Sequence, residues 1–160
     1  MVDTATRIVA RGGRRFYHSS MKLPPRTIHK LEEGLNEVFE DFPEVEAVFL
    51  FGSVAEDRVG AESDLDLAIV PSGAGLRERR LDLLSALVRA GFDDVDLVFL
   101  DTADVVLRYE AVRPNLLIYA REGFDHGEYY SRALREYWDF LPYLELQRES
   151  MKRRILYGQT

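Results

Sequence analysis

After Pro24-Pro25, apolar residues recur at Ile28, Leu31, Leu35, Val38, Phe39 and Phe42, the three-and-four spacing of one helix face. They predict a helix from about Arg26 to Asp41, ended by Pro43. Val45 to Phe51 is a short apolar run between Pro and Gly and reads as a buried strand, and Leu65 to Val70 reads as a second. A loop at Pro71 to Gly75 precedes a helical stripe of Leu76, Leu81, Leu84, Leu87 and Val88, closed by Gly91 at a C′ position. Asp94 to Leu100 is a third strand, Asp101 or Thr102 is the expected cap of a short helix through about Glu110, and Asn115 to Ala120 reads as a fourth strand. The C-terminal third repeats Tyr130, Leu134, Tyr137 and Leu141 at helical spacing, with Pro142 expected to kink or break it. Helices and strands alternate, so the expected class is α/β (α+β), a small mixed sheet of about four strands flanked by helices.

Composition narrows the class. The 160 residues suit one domain, expected over 26–160 behind an extension at 1–25, and 46% hydrophobic with 11% aromatic content is that of a folded chain. There is no cysteine, which excludes a disulfide framework, a thiolate zinc site and a thiol nucleophile. No window resembles a membrane span or a secretion signal, so a cytoplasmic setting without membrane attachment is expected.

Charge is uneven. The net value is −7, yet residues 1–22 carry Arg7, Arg11, Arg14, Arg15 and Lys22 against Asp3, a local +4 that leaves −11 for the body. An acidic body repels a phosphate backbone, so direct nucleic-acid binding is not expected, whereas acidic clusters can hold divalent cations. The basic lead, with Gly12-Gly13 and few large apolar residues, is expected to be a flexible arm dispensable before Met21.

The chemistry concentrates in Phe49 to Val70, FLFGSVAEDRVGAESDLDLAIV. A strand ends in Gly52-Ser53, and ten residues later Asp64 and Asp66 flank Leu65 at the head of the next strand. Strand side chains alternate, so the two carboxylates share a face. Their repulsion needs an offset, which a divalent cation such as Mg²⁺ supplies between carboxylates and substrate phosphates. Asp96 lies in the apolar run VDLVFLD, where an acid is costly unless paired, hydrated or metal-bound. If that strand neighbours the Asp-x-Asp strand, three acids meet on one face, enough for two cations and in-line nucleotidyl transfer. Gly52 admits a phosphate close to the backbone, and Ser53 offers a hydroxyl and an N–H.

GS-x10-DLDL followed by VDLVFLD resembles the signature of the polymerase-β-like nucleotidyltransferase superfamily. Within it the chain is similar to minimal nucleotidyltransferase (MNT) antitoxins, the tail REYWDFLPYLE included. The resemblance implies that Asp64 and Asp66 bind two Mg²⁺ ions, that Asp96 completes one metal site and helps deprotonate the attacking hydroxyl, and that Gly52 and Ser53 hold the triphosphate of ATP. Where such proteins often carry Gly-Ser-x-Ala-Arg-Gly, this chain has Glu56, and Arg58 two residues on is the candidate phosphate contact. The implied activity is transfer of AMP from ATP to a tyrosine of a partner HEPN ribonuclease toxin. The alternatives are a non-catalytic antitoxin that masks its toxin, and a nucleotidyltransferase acting on a small hydroxylated molecule.

Elsewhere the signals are bland. His18, His29 and His126 have no motif partner, and Ser53 lacks the hydrolase elbow. Tyr129, Tyr130, Tyr137, Trp138, Phe140 and Tyr143 read mainly as core, with a partner surface as the alternative.

Overall fold

The computed structural model describes residues 7–9, 15–17, 25–52 and 64–157. Its elements are β1 (Arg7–Val9), β2 (Arg15–Tyr17), α1 (Pro25–Glu40), β3 (Val45–Phe51), β4 (Leu65–Pro71), α2 (Gly75–Glu78), α3 (Arg80–Arg89), β5 (Val95–Phe99), α4 (Val105–Val112), β6 (Leu117–Ala120) and α5 (His126–Tyr157). In the lead, where no element was expected, β1 and β2 pair antiparallel.

The main sheet has the order β5-β4-β3-β6. β3 runs antiparallel to both β4 and β6, while β4 and β5 are parallel and joined through α2 and α3, so the sheet is mixed as expected. Alternation sorts the strand residues onto two faces. Leu65, Leu67, Ile69, Leu97 and Phe99 pack with Leu35, Val38 and Phe39 of α1 and with Leu83 and Leu87 of α3. Ala68 and Val70 face the other way, with Ala47 and Phe49, and meet Ala111 and Val112 of α4 and Ala133 of α5. The register slips between Val45 and Ala47, a bulge that lets Val45 and Val48, three residues apart, both enter the α1 face.

Local chemistry sets the element ends. Gly91, at φ 94°, ends α3 in a Schellman arrangement, its N–H donating to Val88 O at 2.9 Å and Phe92 N–H to Leu87 O at 3.0 Å, as the C′ glycine predicted. The helix expected as one piece from Leu76 is two, because the chain turns at Arg79 (φ −93°, ψ 14°). Arg79 is held there by Glu44, its Nη1 donating to Oε1 at 2.8 Å and Oε2 at 3.1 Å, and by the Phe42 ring 4.7 Å away. The Arg79 hydrogen bonds hold the Glu44 carboxyl below its ordinary range.

The cap of α4 differs from the expected one, and the break allowed for at Pro142 is absent. The cap of α4 is Asp104, whose Oδ1 accepts from Leu107 N–H at 2.8 Å, because residues 100–103 first turn back onto Phe99 O. Pro142 does not break α5, which runs uninterrupted for 32 residues. The carbonyl its ring frees is that of Trp138, four residues back; both residues are exposed, so water reaches it. Among the described residues no helix is long and apolar enough to cross a membrane.

Candidate active site

The acids gather where β3 ends and β4 and β5 begin. Asp66 stands opposite Phe51 in the antiparallel pairing with β3 and opposite Asp96 in the parallel pairing with β5. Residues paired in register share a face, so Asp66 and Asp96 are neighbours across the sheet, on the side that carries α4 and α5. Asp64 precedes β4 by one residue and Asp66 by the two-residue strand period. Asp64 and Asp96 are exposed, and Asp66 is half-buried. The parallel register, with Leu65 beside Val95 and Leu67 beside Leu97, is fixed by the apolar partners on the opposite face: Leu67 is fully buried, and a slip by one residue would place Asp66 in the α1 core.

Gly52 completes this corner. At φ +69° it turns the chain directly over Asp66, so that a Cβ built there would lie 1.9 Å from Asp66 Oδ2. The missing side chain thus leaves a backbone surface flush against a carboxylate, which suits an anion bridged to that carboxylate by a cation. Three carboxylates with no sulfur or imidazole would suit a hard cation such as Mg²⁺. As the side chains stand, no three His, Cys, Asp or Glu among the described residues are grouped so that they could hold a metal ion. A pair of acids there would have to take its further oxygen ligands from a nucleotide. Ser53 and Arg58, and Glu56 with them, lie outside the described residues.

Sequence reasoning missed the pairing of Asn115 with His126, on the β6 side of β3, away from the two acid strands. Asn115, in the left-handed region at φ 57°, joins α4 to β6, and its Oδ1 accepts from His126 Nε2–H at 2.8 Å. Leu50 N–H donates to Leu116 O at 2.8 Å, which ties this junction to the end of β3, two residues before Gly52. The His126 ring lies 5.8 Å from Phe49 and 6.2 Å from Tyr130. Burial lowers its pKa, partly opposed by Asp125, so it is neutral at pH 7. Nothing in the sequence pairs Asn115 with His126; only an Asn at a helix end, a residue type that tolerates left-handed backbone, hints at the turn.

A cavity of about 500 Å³ opens on the same face at the far end of the strands, between Glu46, Pro71 and Asp101 and α5. Arg108 crosses its floor, donating to Leu100 O, Ala103 O and Glu136. Tyr129 lines it, and burial pushes its hydroxyl up to about 12. The aromatic residues of α5 divide between roles: Tyr129 and Tyr130 pack on the sheet and Tyr137 stacks on Tyr109 at 3.8 Å, while Trp138 and Tyr143 are exposed.

The family model described as polymerase beta, nucleotidyltransferase matches residues 33–123, which span the chain from within α1 to just past β6. No curated protein sequence matches. Among solved structures, a toxin–antitoxin with AMP-PNP superposes with a TM-score of 0.59 at 23% identity, over 78% of this chain and 98% of that one. An MntA-HepT toxin–antitoxin gives 0.55 at 22% identity, over 78% and 96%. A tri-AMPylated Shewanella oneidensis HEPN toxin in complex with MNT antitoxin gives 0.55 at 22%, over 78% and 95%.

Proposed function

Because the chain belongs to the polymerase β nucleotidyltransferase family, we propose that it is an Mg²⁺-dependent antitoxin of the MNT type, acting in the cytoplasm, that transfers AMP from ATP to a tyrosine hydroxyl of a partner HEPN ribonuclease toxin and so silences it. The observation that carries this reading is the pairing of Asp66 with Asp96 under Gly52. Two of the structural neighbours support the nucleotide and the acceptor: one is a toxin–antitoxin with AMP-PNP, the other contains a tri-AMPylated HEPN toxin.

In this reading Asp64, Asp66 and Asp96 would hold two Mg²⁺ ions, which would supply neutralisation of charge on the phosphates. The backbone at Gly52, with Ser53 and Arg58 beyond it, holds the triphosphate. Asp96, on the outer of the two acid strands, faces the acceptor. The acceptor oxygen bonds to the α-phosphorus of ATP as the bond to the bridging oxygen of pyrophosphate breaks. The hydroxyl proton passes to Asp96 and on to solvent, and pyrophosphate leaves with the bridging electron pair.

The test is to incubate the HEPN partner with ATP, Mg²⁺ and a sub-stoichiometric amount of this protein, then weigh the partner and assay its ribonuclease after separation. One or a few added AMP masses with lasting inactivation are expected for the wild type and not for Asp66→Asn. Equal protection by both proteins, reversed on separation, would establish a steric mask instead.

A further inference from the structure

Positions 130, 134, 137, 141, 144, 148, 151 and 155 of α5 step by four and three in strict alternation, which makes one seam at the 3.5-residue period of a coiled coil. The proximal half of the seam is used internally, Tyr130 and Leu134 against the sheet and Tyr137 against Tyr109. The distal half is not. At about 1.5 Å per residue α5 is about 48 Å long. Its last turns leave Met151 and Ile155 66% and 76% exposed. Leu144, half-buried, and Arg148, Met151 and Ile155, all exposed, thus continue the seam beyond the residues that pack on the sheet.

We propose that this distal half of α5 pairs antiparallel with the same segment of a second copy of the chain, about a twofold axis between residues 149 and 150. The flanking charges select this occupant and this direction. In an antiparallel pair the layers are Leu144 with Ile155 and Arg148 with Met151, each formed twice by symmetry. Glu145, next to Leu144, and Lys152, next to Met151, then fall between the same two layers on opposite chains, giving two Glu145–Lys152 pairs. On the other flank Gln147 meets Arg154, without repulsion. A parallel pair would set Arg148 against Arg148 in the seam and would bring neither Glu145 to Lys152 nor any other opposite charges together. The Arg148 stem lies along Met151 in the antiparallel layer, with its guanidinium at the edge in water. The seam lies beyond the matched residues 33–123, so the proposal is independent of the catalytic reading.

The chain has no cysteine, which makes the geometry directly testable on the full-length protein. Sedimentation equilibrium should give a dimer whose mass falls to the monomer on dilution. Lys152→Glu should weaken it at least tenfold, and Glu145→Lys added to Lys152→Glu should restore it. Mild oxidation should cross-link an equimolar mixture of Glu145→Cys and Lys152→Cys chains, and neither variant alone. Circular dichroism of these surface variants should match the wild type. A monomer at every concentration, a dimer indifferent to Lys152→Glu, or self-cross-linking of Glu145→Cys alone would overturn the proposal. So would a distal α5 that stays monomeric and is protected from hydrogen exchange only by a different protein.

Discussion

The Cα of Gly52 sits so close to Asp66 that an ideal Cβ would fall 1.9 Å from Oδ2, in a residue whose φ of +69° an L side chain also resists. Gly52→Ala therefore carries two penalties, roughly 1–2 kcal/mol of backbone strain and the displacement of a carboxylate. The variant should melt roughly 2–8 °C lower than the wild type. The nucleotidyl transfer proposed above should fall by about a hundredfold or more, since Asp66 can no longer keep its place. A labelled-ATP assay beside a thermal melt checks both, and full activity would mean that the corner plays no part in catalysis.

Asp66 and Asp96 are like charges at paired positions, an arrangement that costs on the order of 0.2–1 kcal/mol across neighbouring strands. Without divalent cations, Asp96→Asn should melt up to about 4 °C above the wild type. Added Mg²⁺ or Mn²⁺ should raise the wild-type midpoint by ligand linkage and leave the variant nearly unmoved. A wild type whose midpoint ignores both cations would remove the metal from the site.

Glu32, on α1, is buried at 3% exposure, and desolvation lifts its carboxyl from an ordinary 4.5 to about 7. The folded chain thus binds this proton more tightly than the unfolded chain does. Its contribution to stability is fully present below pH 4.5 and is lost as the pH rises through 7. Glu32→Gln should raise the melting temperature at pH 8 and leave it unchanged near pH 4. An equal difference at both pH values would mean the effect is packing and not titration.

At Asn115 the usual ranking of substitutions should invert. Asn115→Ala loses the bond to His126 and is strained at φ 57°, at about 2 kcal/mol in all, whereas Asn115→Gly loses the bond but keeps the backbone comfortable. Chemical denaturation should find the Gly variant the more stable of the two. The reverse order would show that the turn is not held in the left-handed region.

Much of the architecture was local and therefore legible. Apolar spacing located α1, the four strands of the main sheet and the end of α3 at Gly91, because helix and strand periods and a left-handed C′ glycine are properties of a few consecutive residues. The two-residue spacing of Asp64 and Asp66 predicts a shared face for the same reason, and the Gly-Ser to Asp-x-Asp interval was enough to recognise the family. Where the sequence misled, a nearby rival matched the local rule equally well: Asp101, Thr102 and Asp104 can all cap a helix, and the turn back onto Phe99 O decided for Asp104. Pro142 forbids a hydrogen bond but not a helix whose freed carbonyl is open to water.

Tertiary structure decided what depends on partners far apart in the chain. Asp96 joins Asp66 only because β5 pairs beside β4 in a register that buries Leu67 and Leu97, and no local period contains that choice. His126 meets Asn115 only because α5 returns across Phe49. The strands could be read from the backbone's own periodicity. Their order and register follow from how much apolar surface each pairing removes from water, and that is a property of the whole chain.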